Sequence, residues 1–314
     1  MNEHASAFRL GIDLGGTKLE ACLLNSRGEV AWRMRRPTPA GDYSATVGAL
    51  ADAVAQGRAE SAARGATAWP SVGVGTPGTH TADGRMKNCN STCLNGQPLM
   101  ADLQTAIGQP VRLANDANCL AMSEAADGAG AGAAVVFAVI LGTGTGAGIA
   151  VHGRVLDGAN GLAGEWGHNP LPWSRPGEDP SFACYCGQQG CVETLLSGTG
   201  LARDHALRCG GTLAAADIAG RAARGDADCA ATLQRHTHRL ARALAAVINL
   251  LDPDVIVLGG GLSAMAHLYT DVPALWSQWV FSAGSTDPVR TALRPAQHGD
   301  ASGVRGAAWL GCAG

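Results

Sequence analysis

Two stretches of the chain show the same order of apolar and polar positions. Residues 8–36 contain apolar runs separated by a Gly-Gly-Thr turn and an Asn-Ser-Arg-Gly hairpin. Residues 134–158 repeat that order with a Gly/Thr turn and a His-Gly hairpin. Apolar runs bounded by glycine-rich turns predict β-strands. We therefore expect two similar domains, each opening with a β-meander.

Helical and strand-like segments alternate after each meander. Helical spacing covers residues 43–64 and 230–251, and a further helix is expected from Asp116 into a glycine-rich end. Short apolar strands are expected in "WPSVGVGTPG", "VRLAND" and "VIVLGGG", and a last helix in "DASGVRGAAWLG". This alternation predicts the α/β class. We expect the domain boundary, and a cleft, near residues 115–129.

Composition and charge narrow the class of protein. The 314 residues suit two domains, and a hydrophobic fraction of 46% argues against disorder. The net charge of −3, without a basic stripe, gives no sign of a nucleic-acid partner. No apolar run approaches the ~20 residues of a membrane helix, and the N-terminus has no signal-peptide pattern. We expect a soluble, cytoplasmic protein.

The first turns of the two meanders are candidate phosphate sites. The first carries Asp13, Gly15, Gly16, Thr17 and Lys18, and the second carries Thr143 and Gly144. Backbone N–H groups of such turns can cradle phosphate, and Asp13 can hold Mg²⁺. The alternative for each turn is a hairpin that needs glycine for its dihedral angles. The matching pair favours polyphosphate binding, although neither turn is a Walker loop.

Two further segments are candidates for the substrate site. The segment 73–78, "GVGTPG", formally fits G-x-G-x-x-G, but no helix opens after Pro77, so a glycine-lined substrate loop ending at Gly78 is the better interpretation. Asp116 stands where a strand becomes a helix. It is either a helix cap or a general base that deprotonates a hydroxyl nucleophile.

Cys184, Cys186 and Cys191 crowd one short segment, "FACYCGQQGCVE". A disulfide is one explanation, but without an export signal a metal site is favoured. His168, 16 residues before Cys184, can complete a Cys₃His set, as in closed zinc sites. A lone histidine is more often structural. Gly187 and Gly190 would permit the tight loop, and the other cysteines, Cys312 among them, are expected as small buried hydrophobes.

The ordered motifs as a set resemble the ROK family of bacterial sugar kinases. They are "GIDLGGTK", "GVGTPG", "LANDAN", "LGTGTGAG", "GEWGHNPLPW", "CYCGQQGCVE", "DPDVIVLGGG" and "GDASGVRGAAW", spanning nearly the whole chain. Within that family, "KNCNSTCLNGQP" and "GEWGHNPLPW" look most like the fructokinase (manno(fructo)kinase) branch. The resemblance implies an actin-like ATPase (ribonuclease H-like) fold. It implies an N-terminal domain of residues 1–117, completed by a helix at 300–314, and a C-terminal domain of residues 118–299 with a zinc loop at 168–191.

The resemblance also implies a role for individual positions. It makes Asp116 the catalytic base, and it assigns the two Gly/Thr turns to phosphate. Gly259, Gly260 and Gly261 match the adenosine segment. Sugar contacts are implied for Asn90, Asn115, Glu165, His168 and Glu193, with a free ring nitrogen of His168 facing the sugar. The implied reaction is ATP-dependent phosphorylation of a hexose, foremost fructose, with Mg²⁺, a structural zinc ion and a homodimeric state. Glucose, mannose and N-acetylglucosamine are the alternative substrates, and a non-catalytic sugar sensor is a remote one.

Overall fold

The computed structural model describes residues 8–282 and 284–311. Its strands are β1 (Arg9–Leu14), β2 (Lys18–Leu24), β3 (Val30–Pro37), β4 (Ser71–Thr76), β5 (Thr79–His80), β6 (Met86–Lys87), β7 (Arg112–Asn115), β8 (Val135–Leu141), β9 (Thr145–Val151), β10 (Arg154–Val155), β11 (Val255–Gly259) and β12 (Ala292–Pro295). Its helices are α1 (Tyr43–Ala63), α2 (Leu99–Ile107), α3 (Asp116–Ala126), α4 (Glu193–Leu196), α5 (Gly198–Cys209), α6 (Ala215–Ala222), α7 (Ala227–Leu251), α8 (Leu268–Leu275) and α9 (Ser302–Leu310). Residues 1–7 of the expected N-terminal domain, residues 312–314 of the expected last helix, and Cys312 lie outside the described residues.

The first sheet has the strand order β3-β2-β1-β4-β7. β1 and β2 pair antiparallel, as do β2 and β3, which is the predicted meander. β4 pairs parallel with both β1 and β7. The carboxyl ends of β1, β4 and β7 therefore meet at one edge of the sheet, where ligands of open α/β sheets bind.

The second sheet repeats this design in the order β10-β9-β8-β11-β12. β9 and β10 form its hairpin, and β11 pairs parallel with β8 and with β12. The carboxyl ends of β8 and β11 consequently lie side by side. The prediction of an α/β fold with two similar halves is confirmed.

Contacts between Cα atoms divide the chain into two compact units. Of the described residues, unit 1 comprises 8–132, 149–163 and 300–311, and unit 2 comprises 133–148, 164–282 and 284–299. The expected boundary after residue 117 falls inside α3, and this helix belongs to unit 1 because it packs along α9. The segment 149–163, which was expected in the C-terminal domain, also groups with unit 1.

Unit 1 is built around a buried apolar core and a set of very close backbone contacts. The core includes Leu10, Ile12, Leu50 and Leu103, which are fully buried. On the other face, α9 lies so close to the sheet that a Cβ atom added to Gly11 would stand 2.1 Å from the Val304 carbonyl oxygen. The equivalent distance from Gly73 to the Ala307 oxygen is 2.0 Å, and from Gly306 to the Cys119 oxygen 1.7 Å. These contacts fix α9 against β1, β4 and α3.

Unit 2 has its own core around the long helix α7. Apolar side chains of β8, β11, α7, α8 and the turn after α8 are buried in it: Val136, Val139, Leu141, Leu240, Leu244, Ile256, Leu258, Val272 and Trp276. The predicted helix at 230–251 is confirmed and begins three residues earlier, at Ala227, because Asp226 caps it by accepting from the Cys229 N–H at 3.0 Å. Nowhere in residues 8–282 or 284–311 is a helix both long and apolar enough to cross a membrane.

Candidate active site

Asp13 and Asp116 are brought together by the parallel strands of unit 1. Asp13 lies near the end of β1, and Asp116 directly follows β7 as the first residue of α3. Burial, together with the charges of Asp116 and Glu20, raises the pKa of Asp13 to about 6. Asp116 keeps accessible surface, yet the protein atoms crowded around its carboxyl group desolvate it and raise its pKa. Paired carboxyl groups with raised pKa values are typical of catalytic or cation-binding positions.

The cap of α3 is Asn115, not Asp116. The Asn115 Oδ1 atom accepts a hydrogen bond from the Asn118 N–H at 2.7 Å. The Asp116 carboxylate accepts from the adjacent Ala117 N–H at 2.8 Å. The structural alternative for Asp116, helix capping, is therefore wrong. Asn115, an expected sugar contact, already uses its amide oxygen as the cap.

The first glycine turn connects β1 to β2 and has a loop beside it. The Gly15 N–H bonds the Lys18 carbonyl at 2.9 Å, and Gly16 and Thr17 are exposed. Lys18 is also exposed, with its Nζ atom 4.0 Å from Glu20. A Cβ atom on Gly16 would lie 3.6 Å from the Ser91 hydroxyl, which places the loop carrying exposed Asn90 next to this turn.

Gly78 has a structural reason to be glycine. Its φ angle is +74°, and a Cβ atom there would stand 2.4 Å from the Lys87 carbonyl oxygen. A side chain at this position would push apart the β5–β6 hairpin that precedes Asn90. Gly78 thus supports the expected substrate loop through its backbone.

The second glycine turn lies in unit 2 between β8 and β9. Its Thr145 N–H donates to Glu193 Oε2 at 2.9 Å, and the Thr199 hydroxyl donates to the Thr143 carbonyl at 2.9 Å. Thr143 and Gly144 are exposed. The carboxylate of Glu193, an expected sugar contact, therefore also stabilises this turn by a hydrogen bond.

A cavity of about 1250 Å³ opens beside the second turn. Its walls combine the turn, the start of α5, α6, α7 and the segment after β11: Gly142, Thr143, Gly198, Thr199, Ala202, Thr212, Leu213, Ala214, Ala215, Ala216, Ala219, Ala222, Ala223, Ala230, Leu233, Gln234, Gly261, Leu262, Ala264, Met265 and His267. Thr143 and Gly261 meet here because β8 and β11 are parallel neighbours. Gly259 ends β11, and Gly260 has a φ angle of +80° with a Cβ position 2.5 Å from the Leu141 oxygen. Small side chains leave room for a flat apolar group, as a nucleoside would require.

Glu165 and His168 are placed by a tightly packed turn in unit 2. Glu165 precedes the 3₁₀ turn Trp166–His168. Cβ atoms on Gly164 and Gly167 would lie 2.2 Å and 2.1 Å from carbonyl oxygens of Ala147 and Thr145, respectively. The motif "GEWGH" therefore needs both glycines to lie against β9.

His168, Cys184, Cys186 and Cys191 form a cluster, hereafter the Cys/His cluster, in which all ligand atoms lie within 4.8 Å of one another. The His168 Nδ1 atom is 3.6 Å from the Cys184 sulfur, and the Cys186 and Cys191 sulfurs are 3.7 Å apart. Tetrahedral zinc bonds would give edges of ~3.6 Å for N–S and ~3.8 Å for S–S. The sulfur separation also exceeds the ~2.05 Å of a disulfide bond. The donor set and its spacing fit zinc.

The loop of the Cys/His cluster turns tightly at its two glycines, as expected from the sequence. Gly187 and Gly190 have φ angles of +90° and +69°, which favour glycine. The Gly187 N–H bonds the Cys184 carbonyl at 3.1 Å, which folds the loop back. The role expected for these glycines is confirmed.

Tyr185 is a neighbour of this cluster that the sequence did not single out. Its hydroxyl lies 2.9 Å from His168 Nε2, the nitrogen that was expected to face the sugar. Although the side chain is 82% exposed, desolvation by protein atoms near the hydroxyl and the charges of Glu193 and Glu165 raise the pKa of Tyr185 to about 12. The only sequence signal for it was an aromatic residue between two metal-ligand cysteines.

Comparison with known proteins matches nearly the whole length of the chain. The profile of the ROK family matches residues 9–313. N-acetyl-D-glucosamine kinases from Salmonella paratyphi B and Vibrio vulnificus are each 37% identical to the chain, covering 96% of it and 98% of their own length. A ROK hexokinase from Thermus thermophilus superposes with a TM-score of 0.82 at 30% identity, covering 96% of this chain and 97% of its own.

A second solved relative binds nucleotide. A ROK family glucokinase from Streptomyces griseus, in complex with glucose and AMPPNP, superposes with a TM-score of 0.72 at 28% identity, covering 96% of this chain and 98% of its own. Together with the repeated sheets, these matches identify the actin-like ATPase fold. The chain therefore belongs to the ROK family, as one of its sugar kinases.

Proposed function

We propose that the protein transfers the γ-phosphate of ATP to the 6-hydroxyl of a hexose, with Asp116 as general base. The observation that carries this proposal is Asp116 itself, a carboxylate at the carboxyl edge of the first sheet that is not used as a helix cap. The sugar oxygen attacks the γ-phosphorus, the bond from that phosphorus to the ADP oxygen breaks, and the hydroxyl proton passes to Asp116. The base contributes proton transfer, and most of the catalysis in such reactions comes from positioning and charge stabilisation.

We assign the nucleotide to both glycine turns and to the cavity of about 1250 Å³ beside the second turn, which is lined largely by alanine. Thr143 and Gly261 of that cavity are the residues expected for phosphate and adenosine. The turn of Gly15, Gly16 and Thr17 offers exposed backbone in unit 1. When bound, Mg²⁺ would neutralise the phosphate charges, and Asp13 is the carboxylate suited to hold it, directly or through water.

The Cys/His cluster has a structural role in this proposal. Zinc, when bound, would hold His168 and the three cysteines in one fixed arrangement. Glu165 precedes the turn that carries His168, and Glu193 follows Cys191 by two residues. The cluster therefore stabilises the segments that carry the expected sugar contacts.

N-acetylglucosamine is the hexose that the comparisons support best. The relatives at 37% identity over 96% of the chain are named as kinases of that sugar. Fructose, the sugar expected from "KNCNSTCLNGQP" and "GEWGHNPLPW", stays as a second candidate because Asn90 and Glu165 lie in those segments. Glucose and mannose remain within the same mechanism, since discrimination rests on a few hydroxyl contacts.

The test is ADP release with Mg-ATP, measured as kcat/KM for N-acetylglucosamine, fructose, glucose and mannose. We expect the highest value for N-acetylglucosamine. Preference for fructose would replace the substrate and keep the mechanism. Absence of activity with all four sugars, in protein that contains zinc, would refute the kinase proposal and favour a sugar sensor.

A further inference from the structure

Gly303, in the first turn of α9, lies against the carboxylate of Asp13. A Cβ atom added to Gly303 would stand 3.1 Å from Asp13 Oδ2 and 3.5 Å from Asp13 Cγ. The first of these distances is shorter than ordinary van der Waals contact, for which the optimum lies near ~3.5 Å or above. Both residues keep accessible surface. The backbone of α9 therefore forms one wall beside the carboxylate.

The other very close contacts of α9 have a different neighbour. At Gly11, Gly73 and Gly306 the atom nearest to an added Cβ is a backbone carbonyl oxygen, at 2.1 Å, 2.0 Å and 1.7 Å. Those three glycines serve the packing of the helix, because backbone cannot move aside. At Gly303 the neighbour is the end of the Asp13 side chain, which can rotate. A methyl group at this position would consequently displace the carboxylate and not the helix.

The first turn of α9 is itself held in place from the side of α3. The Ser302 hydroxyl donates to Glu124 Oε1 at 3.0 Å, and both side chains are buried. The second oxygen of Glu124 accepts from the Ala129 N–H at 2.8 Å. Because Ser302 is anchored in this way, the adjacent backbone of Gly303 resists moving away from Asp13.

The carboxylate has space to tilt on its other side. Gly75 of β4 is the parallel partner of Asp13 on β1. A Cβ atom on Gly75 would lie 3.6 Å from Asp13 Oδ1 and 3.1 Å from the Cys119 sulfur. Without that atom, a carboxylate pushed from the side of Gly303 can turn toward β4. Two glycines thus flank Asp13, one on each side.

We propose that Gly303 is a positioning residue for Asp13: the bare backbone of α9 leaves the carboxylate in the orientation that serves the divalent cation of the nucleotide. This inference rests on the proposed function, in which Asp13 is the carboxylate suited to hold Mg²⁺. Mg²⁺ requires near-ideal octahedral geometry, so a small tilt of a carboxylate that holds it, directly or through water, weakens binding.

Gly303→Ala tests this role by adding one methyl group. The Kd for AMPPNP is measured by calorimetry without hexose, once with Mg²⁺ and once with EDTA. We expect the Kd with Mg²⁺ to rise about tenfold, the lower end of the range for changes beside a metal-holding group. The Kd in EDTA and the midpoint of urea unfolding should match those of the unmodified protein, since the helix keeps its place.

A double-mutant cycle with Asp13→Asn shows whether Gly303 acts through Asp13. In the Asp13→Asn background, Gly303→Ala should change the Kd with Mg²⁺ by less than about twofold, because no carboxylate is left to position. Gly48→Ala is the matched control. It adds the same methyl group to a helix of unit 1 where nothing lies within 4 Å, and it should leave both Kd values unchanged.

Four results would overturn the inference. They are an unchanged Kd with Mg²⁺ in Gly303→Ala, an equal rise with Mg²⁺ and with EDTA, a lower urea midpoint, and a full additional effect in the Asp13→Asn background. An unmodified protein that binds AMPPNP equally with and without Mg²⁺ would overturn it as well. If the unmodified protein phosphorylates none of the four sugars, the proposed function fails while the AMPPNP titrations still decide the role of Gly303.

Discussion

Asp179 shows how one carboxylate anchors the segment before the Cys/His cluster. Its side chain, 3% exposed, pairs with Arg239 and Arg242 of α7 at 2.8 Å each. Asp204 of α5 pairs with the same Arg239 at 3.1 Å and with Arg235 at 2.9 Å, so the buried charges compensate one another. Burial alone would raise the pKa of Asp179, but hydrogen bonds from Arg242 and Arg239 outweigh it and lower the pKa to about 2.

Asp179→Asn should destabilise the protein in a pH-dependent way. At pH 7 we expect the free energy of unfolding to fall by about 3–5 kcal/mol, because buried arginine charge loses its partner. The folded pKa of about 2 lies below the unfolded value of ~3.9. The stability from Asp179 is therefore present above pH ~4 and is lost as the pH falls toward 2. Urea unfolding at a series of pH values should show the gap to the unmodified protein narrowing over that window.

The control for this prediction is Asp52→Asn. Asp52 is 72% exposed and stands 3.7 Å from Arg36, so its removal should cost no more than about 1 kcal/mol. Equal stability of Asp179→Asn and the unmodified protein at pH 7, or a gap that persists undiminished at pH 2, would contradict the assignment.

At the scale of elements, α9 packs closely against its neighbours because the contact positions are glycines, which have no side chain. A Cβ atom at Gly306 would stand 1.7 Å from the Cys119 carbonyl oxygen of α3, and backbone cannot move aside as a side chain can. Gly306→Ala should therefore lower the free energy of unfolding by about 1–3 kcal/mol or more. The matched substitution is Gly48→Ala, at an exposed position of α1 where nothing lies within 4 Å of the added Cβ atom. It should stabilise by about 0.5–1 kcal/mol, because alanine is the better helix former.

Denaturant unfolding of both variants separates packing from helix propensity. If Gly306→Ala were as stable as Gly48→Ala, the close approach of α9 and α3 would be refuted. A selective loss for Gly306→Ala would show that α9 is an integral part of unit 1.

The Cys/His cluster gives the second prediction at this scale. Cys186→Ser removes an exposed cysteine that is expected to bind zinc, so zinc content measured by elemental analysis should fall, and the hexose Kd should rise with it. Cys209→Ser is the control, since Cys209 is exposed but lies outside the cluster, at the end of α5. Full zinc content in Cys186→Ser would rule out this ligand set, and zinc loss with unchanged sugar binding would rule out the supporting role.

At the scale of the whole molecule, the sequence pattern predicts the features that repeat locally. The two meanders, α7 and the turn at Gly187 and Gly190 follow from periodicity and glycine placement, and all are confirmed. Contacts between segments far apart in sequence were not visible. The sequence does not distinguish Arg239 and Arg242 from ordinary surface charges of a helix, because their buried partner Asp179 lies far away in the sequence. The docking of α3 on α9, which moved the expected boundary at residue 117, depends on Gly306, whose need for space appears only in three dimensions.

Asp116 belongs to unit 1 and the cavity of about 1250 Å³ to unit 2, and the proposed function predicts a separate kinetic defect for each. Asp116, in unit 1, is proposed to act only on the proton, so Asp116→Asn should lower kcat by about 10²- to 10⁴-fold with little change in either KM. Ala216 lines the cavity beside Thr143 in unit 2. Ala216→Trp should fill this cavity and raise the KM for ATP at least about tenfold, because the indole ring would occupy the space proposed for the nucleotide. The hexose Kd should stay unchanged.

Steady-state kinetics with both substrates varied, together with calorimetry for the hexose, distinguishes the two defects. Ala231→Trp is the control for bulk, because Ala231 is exposed on α7 and is not among the residues that line the cavity. Near-normal turnover in Asp116→Asn would exclude it as the base. An unchanged KM for ATP in Ala216→Trp would exclude the cavity as the nucleotide site and leave the glycine turns alone to account for ATP binding.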